Sequence, residues 1–183
     1  MEKPLYGRFA SSGRVTVISK ALFSYSGSAV FYQFEPGGYV NTIEEKWAAA
    51  MQHHDNRFNK SFALLNKLNI EVCTFNDLVS EHGMPDYAKI DVEGHAATIV
   101  SFIDQPPRLR SLEFNLPEYE FELAIALVSI QRIYSDDVEF NLSVEYSSGL
   151  LFPGWVLLHF IKNEIDRRSL TYFELYVRTT KQI

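Results

Sequence analysis

The sequence has little cysteine, no run of basic residues and no long hydrophobic stretch. Its single cysteine, Cys73, excludes an internal disulfide and is expected to be a small buried hydrophobic residue, which fits a reducing, cytoplasmic compartment. The formal net charge of −6 gives no electrostatic basis for binding nucleic acid or an anionic membrane. Because no apolar window approaches the roughly 18 residues of a membrane span, neither a membrane helix nor a signal peptide is predicted.

Apolar residues, by contrast, are sufficient for one sizeable core. The chain of 183 residues is 46% hydrophobic, which predicts a single domain over 1–183. The predicted strands are 15–18, 29–34, 70–75, 87–90, 111–114, 140–146 and 170–178, and the main predicted helices are 47–51, 96–103, 121–133 and 157–165. This alternation predicts an α/β fold with a mostly parallel sheet, helices on both faces and a last strand that could insert antiparallel.

Two helix starts are predicted from capping residues. Thr42 precedes Glu45 by three positions, which is the spacing of a capping box at the start of the helix over 47–51. Asn76 or Asp77 is expected to cap a short helix that ends near Gly83.

The stretch PDYAKIDVEGHAATIV, residues 85–100, places two acids where a predicted strand passes into a predicted helix. Ligands of open α/β sheets bind at the carboxyl ends of strands, and Asp91 stands at such an end. A carboxylate there can accept hydrogen bonds from helix amides, or it can orient a substrate hydroxyl and take its proton. Glu93 can share either task. The alternative is that Asp91 caps the helix starting near Gly94 and Glu93 lies in solvent.

Other polar residues are weaker candidates. Glu113 ends the next predicted strand and either faces the same cleft or is a solvated carboxylate. His53, His54 and Asp55 are adjacent, so their side chains diverge, and no further ligand pattern accompanies them. No metal site is predicted.

Three segments, LNIEVCTFNDLV, YAKIDVEGHAATIV and RSLEFNLPEYE, resemble in order and spacing the carboxyl-terminal part of the FkbM family of S-adenosylmethionine-dependent methyltransferases. Residues 89–94, KIDVEG, match the family's most recognisable motif without a change, and weaker similarity covers nearly all of the chain. The resemblance implies a class I methyltransferase fold, which is Rossmann-like. It also implies transfer of a methyl group from S-adenosylmethionine to a hydroxyl of a sugar, polyketide or related metabolite.

The resemblance also implies roles for individual residues. Asp91 and Glu93 would orient or deprotonate the acceptor hydroxyl, with His95 as a supporting acid or base. Ala21 and Leu22 would lie near the adenine of the cofactor.

Two departures from the family pattern qualify these implications. Ala96 stands where members usually have a glutamate, two residues after the glycine of the motif. No two glycines are separated by one residue, so the chain lacks a G-x-G loop, whose small residues let the backbone approach a cofactor closely. We therefore expect an incomplete fold that is truncated at the amino terminus and lacks the portion with the cofactor loop.

Three functional hypotheses follow from this sequence. The chain is an active methyltransferase whose cofactor elements come from a partner or from residues that the sequence does not reveal, a catalytically inactive remnant that serves as a binding or assembly module, or a piece of a longer enzyme. A sheet without its first strands would expose an edge and an apolar face, and a homodimer is one arrangement that would cover them.

Overall fold

A computed structural model describes residues 7–9, 13–56, 58–92, 94–116, 119–144 and 149–180. The chain divides into two compact units, Met1–Cys73 and Thr74–Ile183, where the sequence indicates one domain. Each unit contains helices and a mixed sheet, which agrees with the predicted α/β class.

The amino-terminal unit is built on a three-stranded sheet. Its elements are β1 (Ala21–Leu22), β2 (Gly27–Gln33), helix α1 (Glu45–Gln52) and β3 (Asn66–Cys73). The strand β3 is central, with β1 parallel on one side and β2 antiparallel on the other. Trp47, Ala48 and Met51 of α1 are buried.

Two predictions in this unit are wrong. Residues 15–18 form no strand, and Val15 and Ile18 are exposed, so their β-branched side chains find neither a strand partner nor a core. The capping box at Thr42 is also absent. The Thr42 hydroxyl accepts a hydrogen bond from the amide of Glu44, and Glu44 itself caps α1 by accepting from the amide of Lys46.

The carboxyl-terminal unit contains four helices and four strands among the described residues. They are α2 (Phe75–His82), β4 (Tyr87–Ile90), α3 (Ala96–Ser101), β5 (Leu109–Asn115), α4 (Glu120–Tyr134), β6 (Val138–Val144), α5 (Leu158–Arg168) and β7 (Tyr172–Thr179). The strand order is β4-β5-β7-β6, with β4 parallel to β5 and β7 antiparallel to both of its neighbours.

The last strand therefore does insert antiparallel, as the sequence left open. Three strands of this sheet run in one direction, but two of its three neighbour pairings are antiparallel because β7 lies between β5 and β6. In the amino-terminal sheet one pairing of two is parallel. The prediction of a mostly parallel sheet is therefore only partly met.

The two faces of the carboxyl-terminal sheet differ in polarity. Paired residues of neighbouring strands share a face, so Ile90, Leu112 and Leu175 lie on one side and Lys89, Ser111 and Tyr176 on the other. The first face is the core of the unit, and α4 covers part of it, because the Tyr134 ring lies against the side chain of Arg110. The described helices include none that is both long and apolar enough to cross a membrane.

The helix α2 begins with a complete capping box. The Thr74 hydroxyl accepts from the amide of Asp77, and the Asp77 carboxylate accepts from the amide of Thr74. The predicted cap at Asn76 or Asp77 is therefore wrong, because Asp77 is the third helical residue and pairs with the true cap. The helix ends before Gly83, as predicted.

The helix α5 lacks such a cap, and this suggests a stabilising substitution. Leu157 occupies the cap position with an extended backbone, makes no side-chain capping hydrogen bond and is 53% exposed. Replacing Leu157 with aspartate supplies an acceptor for a free amide and a negative charge beside the helix dipole. We expect the free energy of unfolding to rise by about 0.5 to 2 kcal/mol in denaturant titrations. Leu157→Ala is the control, and equal stability of the two variants would contradict the prediction.

Candidate active site

Two carboxylates line one cavity near the carboxyl ends of β4 and β5. Asp91 directly follows Ile90, the last residue of β4. Ile90 pairs with Leu112 of β5, and Glu113 directly follows Leu112. Both acids line a small cavity together with Val92, Gly94, Ala96, Ala97, Phe114, Asn115, Tyr119 and Glu122. The cavity volume is about 10 Å³, which is the space of a single water molecule.

Asp91 stands where the sequence placed it, at the carboxyl end of a strand. Its side chain is 47% exposed, and its carboxylate lies 3.4 Å from the ammonium nitrogen of Lys89, so it does not point into the hydrophobic interior. The helix α3 has His95 at its cap position and no side-chain capping hydrogen bond. The alternative in which Asp91 caps this helix is therefore wrong.

Glu113 is the more buried acid of this pair. Burial raises the pKa of Glu113, and the charge of Asp91 raises it further, while a hydrogen bond from Tyr172 and the charge of Lys89 act in the opposite direction. A carboxylate with a raised pKa is a stronger base when it is ionised. The site therefore contains a group suited to accepting a proton.

Lys89 lies among the acids of the site. Its ammonium is 3.4 Å from Asp91 and 3.8 Å from Glu174. Burial lowers the pKa of Lys89, but the carboxylates of Glu174 and Asp91 outweigh burial and raise it above its ordinary value. Lys89 therefore carries a positive charge at the rim. The sequence offered one signal for the pairing of Lys89 with Asp91, because Lys89 lies two positions earlier and therefore on the same side of the strand.

Glu174 is fixed by a hydrogen-bond network on the polar face of the sheet. The Ser111 hydroxyl, which is fully buried, donates to Oε1 at 2.6 Å, and the Tyr176 hydroxyl donates to Oε2 at 2.9 Å. Tyr87 is hydrogen-bonded to Ser111 in turn. Burial and the hydrogen bond to Glu174 raise the pKa of Tyr176 to about 12. With both oxygens of Glu174 engaged, its charge is held beside Lys89.

The resemblance also implied roles for His95, Glu93, Ala21 and Leu22. His95 is buried at the start of α3, where its amide donates to Val92, and it is absent from the cavity lining. Glu93 lies outside the described residues. Ala21 and Leu22 form β1 of the amino-terminal unit, where they pair with β3.

The sequence missed three polar residues that line the cavity. Asn115, Tyr119 and Glu122 come from the end of β5 and the beginning of α4. The Asn115 amide oxygen is buried without a hydrogen-bond partner in the described part of the chain. Within the same ranges, His, Cys, Asp and Glu side chains form no group of three that could hold a metal ion.

The raised pKa of Glu113 predicts a pH-dependent stability. Because the folded pKa exceeds the unfolded one, the contribution of Glu113 to stability is present below the unfolded pKa of about 4.3 and is lost as the pH rises through the folded pKa. Glu113→Gln should therefore be more stable than the wild type at pH 7 and lose this advantage near about pH 4. Melting temperatures measured across this range test the prediction.

Asp91→Asn provides the control for the cause of this effect. It removes the repelling charge, so the stability difference between pH 4 and pH 7 attributed to Glu113 should shrink in this background. A Glu113→Gln variant whose stability relative to the wild type does not change with pH would contradict the assignment.

Comparison of the chain with protein-family models, curated proteins and solved structures gives no match.

Proposed function

We propose that the chain is an O-methyltransferase of the FkbM type and that its carboxyl-terminal unit binds the acceptor hydroxyl of a sugar, polyketide or related metabolite. The single observation that carries the proposal is that Asp91, directly after β4, and Glu113, near the carboxyl end of the parallel strand β5, line the same cavity. This is the edge of an α/β sheet at which ligands bind.

The two acids, Asp91 and Glu113, have different roles toward the acceptor hydroxyl. Asp91 is exposed enough to accept a hydrogen bond from an incoming hydroxyl and orient it. Glu113, with its raised pKa, takes the hydroxyl proton as the oxygen becomes the nucleophile. General-base catalysis of this kind contributes about 10² to 10⁴ in rate. Lys89 balances the negative charge that two neighbouring carboxylates bring to the rim.

The arrangement of the sheet supports the assignment of the chain to an incomplete class I methyltransferase fold. An incomplete class I methyltransferase fold requires parallel strands whose carboxyl ends carry the site, and the pairing of β4 with β5 is of this kind. The antiparallel insertion of β7 is compatible with this fold, for which the sequence left the direction of the last strand open.

The cavity fits a hydroxyl and not the methyl donor. Its volume is about 10 Å³, and the space over Gly94 is filled by the Tyr119 ring, so the backbone there is closed to a ligand. No step can therefore be assigned to S-adenosylmethionine at this cavity. The roles of Ala21 and Leu22 toward the cofactor stay predictions.

The proposal is tested by cofactor binding and by methyl transfer. We expect calorimetry with S-adenosylhomocysteine to give heat, and radiolabelled methyl groups to enter hydroxyl compounds. Asp91→Asn and Glu113→Gln should lower the turnover number by about 10² to 10⁴ while leaving cofactor affinity unchanged. Asn163→Gln, at an exposed position of α5, is the matched amide control and should retain full turnover. Absence of both binding and transfer at millimolar ligand would contradict the proposal.

A second candidate is a catalytically inactive remnant that serves as a binding or assembly module. The small cavity volume favours this function. It predicts no heat with S-adenosylhomocysteine and no change in melting temperature. The calorimetric experiment thus separates the two functions.

A further inference from the structure

The helix α4 is apolar on both its buried and its exposed sides. A helix with one face in water normally carries charges on that face. Between Glu122 and Arg132, however, the sequence has no charged residue. We call the exposed apolar residues the α4 stripe: Phe121 (69% exposed), Ala124, Ile125 (37%) and Val128 (68%). Their spacing of three and four positions places them on one side of the helix.

The neighbouring helix extends this surface. Phe102, directly after α3, is 56% exposed. The two helices are joined where Arg132 donates to the Ser101 carbonyl at 3.0 Å and the hydroxyls of Ser101 and Ser129 lie 2.9 Å apart. Phe102 therefore lies close to the end of the α4 stripe that precedes Arg132. Contiguous exposed apolar surface of this kind marks an interaction site.

We propose that a second copy of the chain covers the α4 stripe, with the two α4 helices antiparallel about a two-fold axis. The charges at the ends of the stripe carry this choice of partner. Glu120 precedes the stripe and Arg132 follows it, separated by about 18 Å along a helix that rises 1.5 Å per residue. A two-fold axis at the level of Ala126 places Glu120 of each copy opposite the partner's Arg132, so this charge pair forms twice.

The same axis also matches the side chains in size. Ala124 lies opposite the partner's Val128, so the smallest exposed residue of the stripe faces a larger one. An isologous interface must be complementary to itself, and these two pairings meet that condition. The contact of two helices is smaller than the roughly 1,200 to 2,000 Å² of a standard interface, so we expect a dimer that dissociates at micromolar concentration. The dimer does not depend on the proposed function.

Sedimentation velocity of the full chain over a concentration series tests the apolar contact. The wild type should shift from monomer to dimer, and Val128→Asp should raise the dissociation constant at least tenfold, since the dimer would bury an unpaired charge. Leu65→Asp is the matched control, because Leu65 is 55% exposed and lies outside the stripe; its dissociation constant should equal that of the wild type. A wild type that stays monomeric at about 100 µM, or a control that weakens the dimer equally, overturns the proposal.

Charge reversal tests the antiparallel pairing. Arg132→Glu and Glu120→Arg should each raise the dissociation constant several-fold, because each places like charges opposite one another across the axis. The double variant should return it to within about threefold of the wild type. Circular dichroism and melting curves verify that each variant is folded. Failure of the double variant to recover association would show that the helices do not pair in this way.

Discussion

Replacing Gly94 with alanine is expected to lower the free energy of unfolding by about 2 to 5 kcal/mol, as the sum of backbone strain and overpacking. Gly94 has a φ of +85°, in the region that side chains disfavour. A Cβ atom at this position would lie 2.6 Å from the hydroxyl oxygen of Tyr119 and 2.7 Å from Cε1 of its ring. Tyr119 is only 6% exposed, so its ring has little room to move away.

Alanine substitutions at two other glycines separate the contribution of backbone strain from that of overpacking. Gly83 has nearly the same φ, +86°, with a ψ of 168°, but a Cβ atom added there would meet nothing within 4 Å, so Gly83→Ala should cost only the backbone strain of about 1 to 3 kcal/mol. Gly154→Ala has neither constraint and should be neutral. Guanidinium titrations of the three variants give the comparison. If Gly94→Ala and Gly83→Ala were equally destabilised, the Tyr119 ring would have moved at no cost, and its packing against Gly94 would not be a structural constraint.

Replacing Arg110 with methionine is expected to have a large effect of the opposite sign, raising the free energy of unfolding by about 1 to 4 kcal/mol. The Arg110 side chain is fully buried on the apolar face of the sheet, and none of its three guanidinium nitrogens has a hydrogen-bond partner in the described ranges. Burial accordingly lowers the pKa of Arg110. Its guanidinium lies 4.9 Å from the centre of the Tyr134 ring, but such a contact supplies only about 2 kcal/mol even when desolvated.

Arg178 provides a matched control for this substitution. It also lies over an aromatic ring, that of Trp155 at 4.4 Å, but its side chain is 42% exposed and it donates two hydrogen bonds to Glu139. Arg178→Met should therefore destabilise the protein slightly, by up to about 1 kcal/mol. Chemical denaturation of both variants decides the matter. A loss of stability in Arg110→Met would show that the buried charge is compensated.

Sequence patterns predicted the carboxyl-terminal unit well because its apolar periodicity is strong. The helix over 121–133 and the strand over 87–90 lie within one residue of the observed bounds. Strand order, however, is not contained in periodicity. Whether β7 inserts between β5 and β6 depends on long-range pairing, so the register that places Glu174 beside Glu113 could not be predicted. In the amino-terminal unit, residues 15–18 were misassigned because propensity alone does not supply a partner strand.

The sequence also predicted part of the candidate site, namely its two acids, but not the residues packed around them. Asp91 followed from its place after an apolar run, and Glu113 was recognised as a second acid that could face the same cleft. Tyr119 could not be predicted as part of the site, since its ring lies against Gly94, which is distant from it in the sequence. Lys89 was visible as part of a motif, but two of its charge partners, Glu113 and Glu174, come from other strands.

The position of β7 also bears on how the protein is made. Because β7 follows the other described strands of its sheet in the chain and lies between two of them, β5 and β6 have no direct contact through which to pair while synthesis is under way. At about 5 to 20 residues per second, the nascent chain passes several seconds with both strands emerged and their inner edges open to chaperones or to other chains. Slowing translation between β6 and β7 should therefore increase aggregation of newly made protein more than slowing it before β5.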